Sequence, residues 1–239
     1  MLSGMSAPTT VTSWGHACIR FEKADRRLVL DPGGFSDAAV LADADAVLIT
    51  HEHPDHVDPG TLVPALAARP ALEVWAPAGV VAQLVDAGAP VDRVHTATTG
   101  DAVTAAGFEV RVTGERHAVV HPDLPVAQNL AYLVDGAALH PGDSFTPPPA
   151  GVAVDLLLVP VAGPWLKVSE AVDYVRAVRP RVAVPIHDAV LTESGRALPD
   201  RLVASLGGAA EYVRITADSP YAWEPPQVLT EPQADRTAG

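Results

Sequence analysis

Short apolar runs punctuated by polar turns dominate the first half of the chain, and their length sets the expected elements. TVTSWGHACIRFE (10–22) and RRLVLDPGG (26–34) predict two strands meeting at a polar turn near residues 24–25. DAVLIT (45–50) is too short for a helix and too apolar for an exposed strand, which predicts a buried one. PGTLVPALAA (59–68) and PAGVVAQLVDAG (77–88) predict short helices, with LEVWAP (72–77) as a strand between them. DRVHTA (92–97), DAVTAAGFEVRVTGER (101–116) and NLAYLVDGAALHPGD (129–143) return to strands joined by Gly-containing turns, a meander. DLLLVPVAG (155–163) and RVAVPIHD (181–188) predict further buried strands. Between them, SEAVDYVRAVRP (169–180) places Ala171, Val172, Val175 and Val178 at helical spacing, with Ser169 as N-cap and Pro180 as the stop. A last helix is expected over LPDRLVASLGG (198–208), and TPPPAG (146–151) reads as a surface loop.

No interior stretch is long enough to be a linker and no internal repeat is apparent, so a single domain over 1–224 is expected. The tail from Pro225 to residue 239, rich in Pro, Gln and small polar residues, is expected to be disordered. Strand groups in both halves with helices inserted suit two sheets packed face to face with helices outside.

Composition narrows the class. With 48% apolar and 19% charged residues in 239, this is a globular chain able to bury a sizeable core. A formal charge of −13 disfavours a nucleic-acid or anionic-membrane partner, both of which need clustered Lys and Arg. The expected partner is a small molecule, an anionic one included, because a bound dication reverses the local potential. The sequence is neutral on whether the chain forms a homo-oligomer. One cysteine, Cys18, excludes an intramolecular disulfide and a multi-thiolate metal site. MLSGMSAPTT has neither a basic nor an apolar leader region, and no uncharged run approaches a membrane span, so a cytoplasmic location is expected.

The histidines carry the chemistry. Of nine in the chain, three fall in ITHEHPDHVD (49–58), with acids interleaved, where a buried strand runs out. In extended chain, residues two apart share a side, so His51 and His53 can converge on one point. Pro54 resists continuation of the ladder, so Asp55 and His56 can turn toward a second point nearby. That spacing suits two neighbouring metal ions, each still short of protein ligands. Three strand-end residues meet the shortfall: His117 in TGERHAVV, Asp143 in LHPGDSF, where a carboxylate can bridge two cations, and His187 in VAVPIHD.

HEHPDH at 51–56, followed in order by His117, Asp143 and His187, resembles the metallo-β-lactamase superfamily of di-metal hydrolases, from about Val11 to His187. WGHACIRFE and LVLDPG ahead of it resemble the branch containing L-ascorbate-6-phosphate lactonase. The resemblance implies a four-layer αββα sandwich of two mixed sheets, with the metals at one edge. It implies His51, His53 and His117 on the first ion, Asp55, His56 and His187 on the second, and Asp143 bridging. The expected cofactors are two divalent ions, zinc or manganese, with iron as the alternative. The expected reaction is cleavage of an ester, lactone or phosphoester bond in a small polar metabolite. The nucleophile is a bridging hydroxide, water's pKa of about 15.7 falling toward 7 between ions roughly 3.5–4 Å apart. Asp55 and Asp143 are the expected catalytic acids of the centre, and His121, four residues past His117, is a candidate for substrate contact or proton delivery.

Other positions are weaker. Asp31, and less so Asp58, can take the second N–H of a ligand histidine. His16 is expected either to face the metals or to bond to backbone, and His140 lies close in sequence to Asp143. Cys18 reads as a core residue within a strand. Ser144 lacks a free His–acid pair, which disfavours a serine hydrolase. No phosphate-binding glycine motif is present, and the four tryptophans are too scattered to form a stacking platform. Two competing readings remain: an iron-dependent redox enzyme on the same fold, and a non-catalytic metal-stabilised binding protein.

Overall fold

A computed structural model describes residues 8–226. The first half contributes β1 (Thr9–Ser13), β2 (Ile19–Lys23), β3 (Arg26–Leu30), β4 (Ala46–Leu48), β5 (Glu73–Ala76) and β6 (Val94–Thr96). Helix α1 (Pro59–Ala68) follows β4, and α2 (Ala78–Asp86) follows β5. The second half supplies β7 (Ala102–Ala105), β8 (Phe108–Thr113), β9 (Ala131–Val134), β10 (Ala138–His140), β11 (Leu156–Pro160), β12 (Val182–Ile186) and β13 (Glu211–Tyr212). Helices α3 (Val168–Val178) and α4 (Glu193–Leu206) flank β12, and β14 (Tyr221–Trp223) is the last strand among the described residues.

Two seven-stranded sheets result, in the orders β14-β1-β2-β3-β4-β5-β6 and β13-β12-β11-β10-β9-β8-β7. Each has three antiparallel pairings toward one edge and three parallel ones toward the other. The halves are thus alike in topology although their sequences show no repeat. The C-terminal strand completes the symmetry by pairing with β1, Thr9 opposite Trp223.

The apolar runs are continuous because the parallel strands are buried on both faces. Leu28 and Leu30 face the opposite sheet, where Leu156, Leu158, Val182 and Val184 meet them around Phe21, Phe108 and Trp223. Val29, Val47 and Val74 point the other way, against Leu62 and Leu66 of α1 and Val80 and Leu84 of α2. Leu157, Val159 and Ala183 likewise pack on α3 and on Val203 of α4. Three apolar layers between four structural ones make the αββα sandwich.

Several local expectations shift. The first expected strand is broken at 14–18 by a turn in which Cys18 N–H bonds Gly15 O at 2.8 Å, with Gly15 and His16 at φ +106° and +52°. Cys18 therefore precedes β2 instead of lying within a strand, and His16 is lifted off the sheet. Helix α3 begins at Val168 with Lys167 as its N-cap residue, whose N–H the Glu170 carboxylate accepts at 3.0 Å, leaving Ser169 inside the first turn. Helix α4 starts ahead of the expected Leu198, because Thr192 Oγ1 caps Gly195 N–H at 3.1 Å. The tail expected to be disordered lies, beyond Pro226, outside the described residues, as does most of the N-terminal segment read for a leader. Among the described residues no helix is long and apolar enough to cross a membrane.

Candidate metal centre

The seven ligands expected from the sequence come together along one edge, where β1, β3, β4, β8, β10 and β12 all end. Three backbone ties draw that edge shut. Leu130 N–H bonds Thr50 O at 2.8 Å, His187 N–H bonds His16 O at 2.9 Å, and Ala118 N–H bonds Asp143 O at 2.8 Å. Ligand-type atoms form two groups, each within 4.8 Å: His51, His53, His117 and Asp143 in one, His16, Asp55, His56 and His187 in the other.

Four imidazoles are fixed in one tautomer by what their Nδ1 meets. His56 Nδ1 donates to Asp31 Oδ2 at 2.8 Å, His117 Nδ1 to Ala118 O at 2.6 Å, and His187 Nδ1 to Ala162 O at 2.8 Å. Thr50 spends its hydroxyl proton on Asp31 at 2.7 Å, so its oxygen accepts from His51 Nδ1 at 2.9 Å. On each ring Nε2 is the nitrogen turned inward, a lone pair whenever the ring is neutral. Those of His56, His117 and His187 are buried without a hydrogen-bond partner, as is Asp143 Oδ1. Leaving such atoms unsatisfied costs about 1–3 kcal/mol apiece. Convergent imidazole lone pairs around a buried carboxylate are the donor set of a divalent cation, and the residues present fit two.

Asp143 stands between the groups. Its Oδ2 lies 2.9 Å from His187 Nε2, 3.3 Å from His117 Nε2 and 3.9 Å from His51 Nε2, while Oδ1 lies 3.1 Å from His56 Nε2. Burial opposes its charge, but the imidazoles of His56, His117 and His187 beside it hold the carboxyl well below the usual range. His56 is buried too, yet Asp143 and Asp31 on either side outweigh burial and raise it well above an ordinary imidazole. A cation there displaces that proton. Burial, aided by His56, pushes His51 well down, keeping its Nε2 bare.

Asp31 is the hub behind the ligands. Held at φ +49°, it accepts Thr50 N–H and Thr50 Oγ1–H as well as His56, so it orients two histidines at once. His16 serves both expected roles: its Nδ1 accepts Ala189 N–H at 3.2 Å, so the neutral ring carries its proton on Nε2, 3.1 Å from Asp55 Oδ2. That proton makes His16 a holder of Asp55 rather than a ligand. Burial opposes the Asp55 charge, but the His16 bond and His56 lower its pKa to about 2.

Three expectations find no such geometry. Asp58 caps α1, accepting Gly60 N–H at 2.8 Å, because it sits one residue before Pro59 at the helix start. His140 donates Nε2–H to Ala17 O at 2.9 Å and accepts Gly142 N–H at 3.2 Å, so both nitrogens are spent on backbone. His121 is exposed, its Nδ1 accepts Asp123 N–H at 3.2 Å, and it belongs to neither group. The proline-bounded turn there, with Leu124 N–H on His121 O at 3.0 Å, directs its polar side chains to solvent.

Sequence reasoning missed Thr50, Asn129 and Trp165. Asn129 is fully buried, accepts Asp143 N–H at 2.9 Å and donates to Pro141 O at 2.9 Å, pinning the Asp143 loop. Trp165 donates Nε1–H to Asp143 Oδ2 at 3.1 Å. Asn129 lies just ahead of β9 and Trp165 in the loop between β11 and α3, and neither position carried a local signal. Trp165→Phe keeps the ring and removes one bond to a carboxylate, a loss of about 1.5–3 kcal/mol. We expect a lower melting temperature and roughly 10–100-fold weaker metal affinity, the effect of losing an orienting partner. Chelator competition measures it, and unchanged affinity would mean that Asp143 is held without the indole.

Against known proteins, the model of the Beta-lactamase superfamily domain matches residues 10–187. Protein Rv0786c of Mycobacterium tuberculosis is 43% identical over 194 residues, 79% of this chain and 88% of that protein. Among solved structures, Igni18, a metallo hydrolase of the archaeon Ignicoccus hospitalis, shares 21% identity at a TM-score of 0.67, over 90% of this chain and 98% of its own. CmlA, a diiron β-hydroxylase of Streptomyces venezuelae, shares 17% identity at a TM-score of 0.62, over 87% of this chain and 53% of its own. At those identities the two structural likenesses are likenesses of fold.

Proposed function

From the premise that the chain belongs to the β-lactamase superfamily domain family, we propose that it is a metal-dependent hydrolase with a two-ion centre. The bond it cleaves is an ester, lactone or phosphoester. His51, His53 and His117 hold one ion, Asp55, His56 and His187 the other, and Asp143 spans both. The observation that carries this reading is the set of buried, partnerless Nε2 atoms of His56, His117 and His187 around Asp143, every Nδ1–H already committed elsewhere. When bound, two divalent cations supply a nucleophilic hydroxide at neutral pH and polarise the oxygen of the scissile group.

The chain's own residues do the rest. Asp31 and Thr50 keep His51 and His56 in the ligating tautomer. His16 Nε2–H and Trp165 Nε1–H orient the carboxylates of Asp55 and Asp143. His51, His56, His117, Asp143 and His187 are buried, whereas His53 and Asp55 are half-exposed. Substrate therefore approaches over His53 and Asp55, and bulk water is kept from the opposite side. Neither nitrogen of His140 is free for proton transfer, and His121 would have to leave its turn to take part.

Elemental analysis of protein purified without added metal, paired with a panel of esters, lactones and phosphodiesters, tests this reading. We expect close to two ions per chain and turnover of at least one panel member. Asp55→Ala should lose more than the roughly 10–100-fold that removal of an orienting partner costs. A coloured, iron-loaded protein inert to the whole panel would replace hydrolysis with oxidation, which His and carboxylate donors also suit. Full loading with a colourless metal and no turnover would favour a binding protein.

A further inference from the structure

Apolar side chains are exposed where the substrate must enter. Among the described residues eight large hydrophobic side chains are exposed, and five of them, Phe35, Val119, Val120, Leu124 and Val190, lie on three loops flanking the centre. Phe35 packs edge-on against the His16 ring, centroids 5.3 Å apart. Val190 follows Ala189, whose N–H bonds His16 Nδ1. Val119, Val120 and Leu124 stand on the loop after His117. On that side a recess of about 80 Å³ opens directly against His53 and His117, walled by Val120, Leu124, Pro125 and Val126. Apart from the two histidines its lining among the described residues carries no charged or titratable side chain. The turn that sends His121 and Asp123 outward leaves Leu124 and Pro125 lining this recess.

A loop built only to shield the ions from water would have no reason to leave valine and leucine exposed beside them. Scattered apolar residues on a surface require no explanation, but a group continuous with a reactive centre does. Apart from those two histidines, no side chain lining the recess can hydrogen-bond a sugar hydroxyl or pair with a phosphate. We propose that it is the seat of a short apolar acyl or alkyl group carried next to the scissile bond. The substrate is thus an ester-type compound with an aliphatic arm, a less polar molecule than the small polar metabolite expected from the sequence. This rests on the hydrolase reading, which brings the scissile bond to His53 and Asp55 beside the recess.

The test uses the full chain loaded with its native metal. Two substrate series are compared: methyl esters from acetate to hexanoate, and alkyl acetates from methyl to hexyl. In one series kcat/KM should rise about fourfold for each added methylene, the equivalent of one buried CH2, and level off once the recess is full. Val120→Asp should flatten that rise. Val120 is exposed, so folding is expected to survive, and Leu124→Ala provides a second variant with a smaller loss. Turnover that is flat in both series, or a rise that Val120→Asp leaves intact, overturns the proposal while the hydrolase reading stands. If no member of either series is cleaved, the ester-hydrolase reading fails by itself. A binding arm then decides the recess: calorimetry with acetate, butyrate, methylphosphonate and butylphosphonate on wild type and Val120→Asp. Tighter binding of the four-carbon member, lost in Val120→Asp, supports the apolar seat, and equal binding of short and long members overturns it.

Discussion

Gly33→Ala is expected to empty the metal centre and to cost about 3 kcal/mol of stability, the upper range for overpacking. A Cβ at this position would lie 2.0 Å from the carbonyl carbon of Asp55, 2.1 Å from its oxygen and 2.3 Å from the nitrogen of His56. These are backbone atoms of the peptide that joins two proposed ligands, so no side-chain rotation relieves the overlap. Nor can the two loops part freely, because Gly34 N–H is bonded to Pro54 O at 2.7 Å, while His56 N–H on His53 O at 2.9 Å keeps the ligand turn itself tight. Accommodation has to come from moving Asp55 and His56 off their positions beside His16 and Asp31. Gly34→Ala is the control, since its Cβ would meet a single atom, Pro54 O, at 3.2 Å. Thermal unfolding and metal stoichiometry of the two variants decide the matter. A Gly33→Ala protein with wild-type melting and two ions per chain would show that the close approach has no bearing on the site.

Gly33 also marks where sequence stopped being informative. The histidine-rich loop was legible because its spacing is local: alternation aims His51 and His53 together and Pro54 breaks the strand. The apolar runs were legible for the same reason, since a strand buried on both faces needs no partner to be recognised. His117, Asp143 and His187 needed more, namely a demand for extra ligands and a family resemblance to say which strand ends answer it. The orienting partners were mostly out of reach. Asp31 was weighed from its place before the loop, but that it serves His51 through Thr50 follows only from the φ +49° turn that aims its carboxylate back. Asn129 and Trp165 act on Asp143 across 14 and 22 residues of chain, a juxtaposition set by sheet order rather than by any local pattern. His121 shows the converse error. Closeness in sequence to His117 suggested a role, but the turn after it spends closeness on the backbone and faces the ring to solvent.

Asp143→Ala is expected to abolish turnover and to remove the stabilisation that metal confers. The carboxylate lies within 3.3 Å of three of the inward Nε2 atoms, those of His56, His117 and His187, and touches both groups of ligands. Without it the groups share no donor, and His56 Nε2 loses the carboxylate oxygen 3.1 Å away. Loss of activity should exceed the roughly 10²–10³-fold cost of a single missing electrostatic stabiliser, because both ions are affected. The stability arm separates a damaged fold from an empty site. A ligand at about 1,000 times its Kd adds about 4 kcal/mol, which in a chain of this size is a shift of roughly 8–16 °C. Wild-type protein should therefore melt lower by that order when a strong chelator is added, whereas Asp143→Ala should melt at the chelated wild-type temperature with or without chelator. Asp143→Asn sharpens the comparison, since the amide oxygen can still accept the Trp165 N–H but brings no charge to balance two cations. If Asp143→Asn retained two ions and a chelator-sensitive melting temperature, the negative charge between the groups would be dispensable and the bridging role would be lost. If Asp143→Ala instead melted well below the chelated wild type, Asp143 would be holding the fold through His117, His187 and Trp165 independently of any metal.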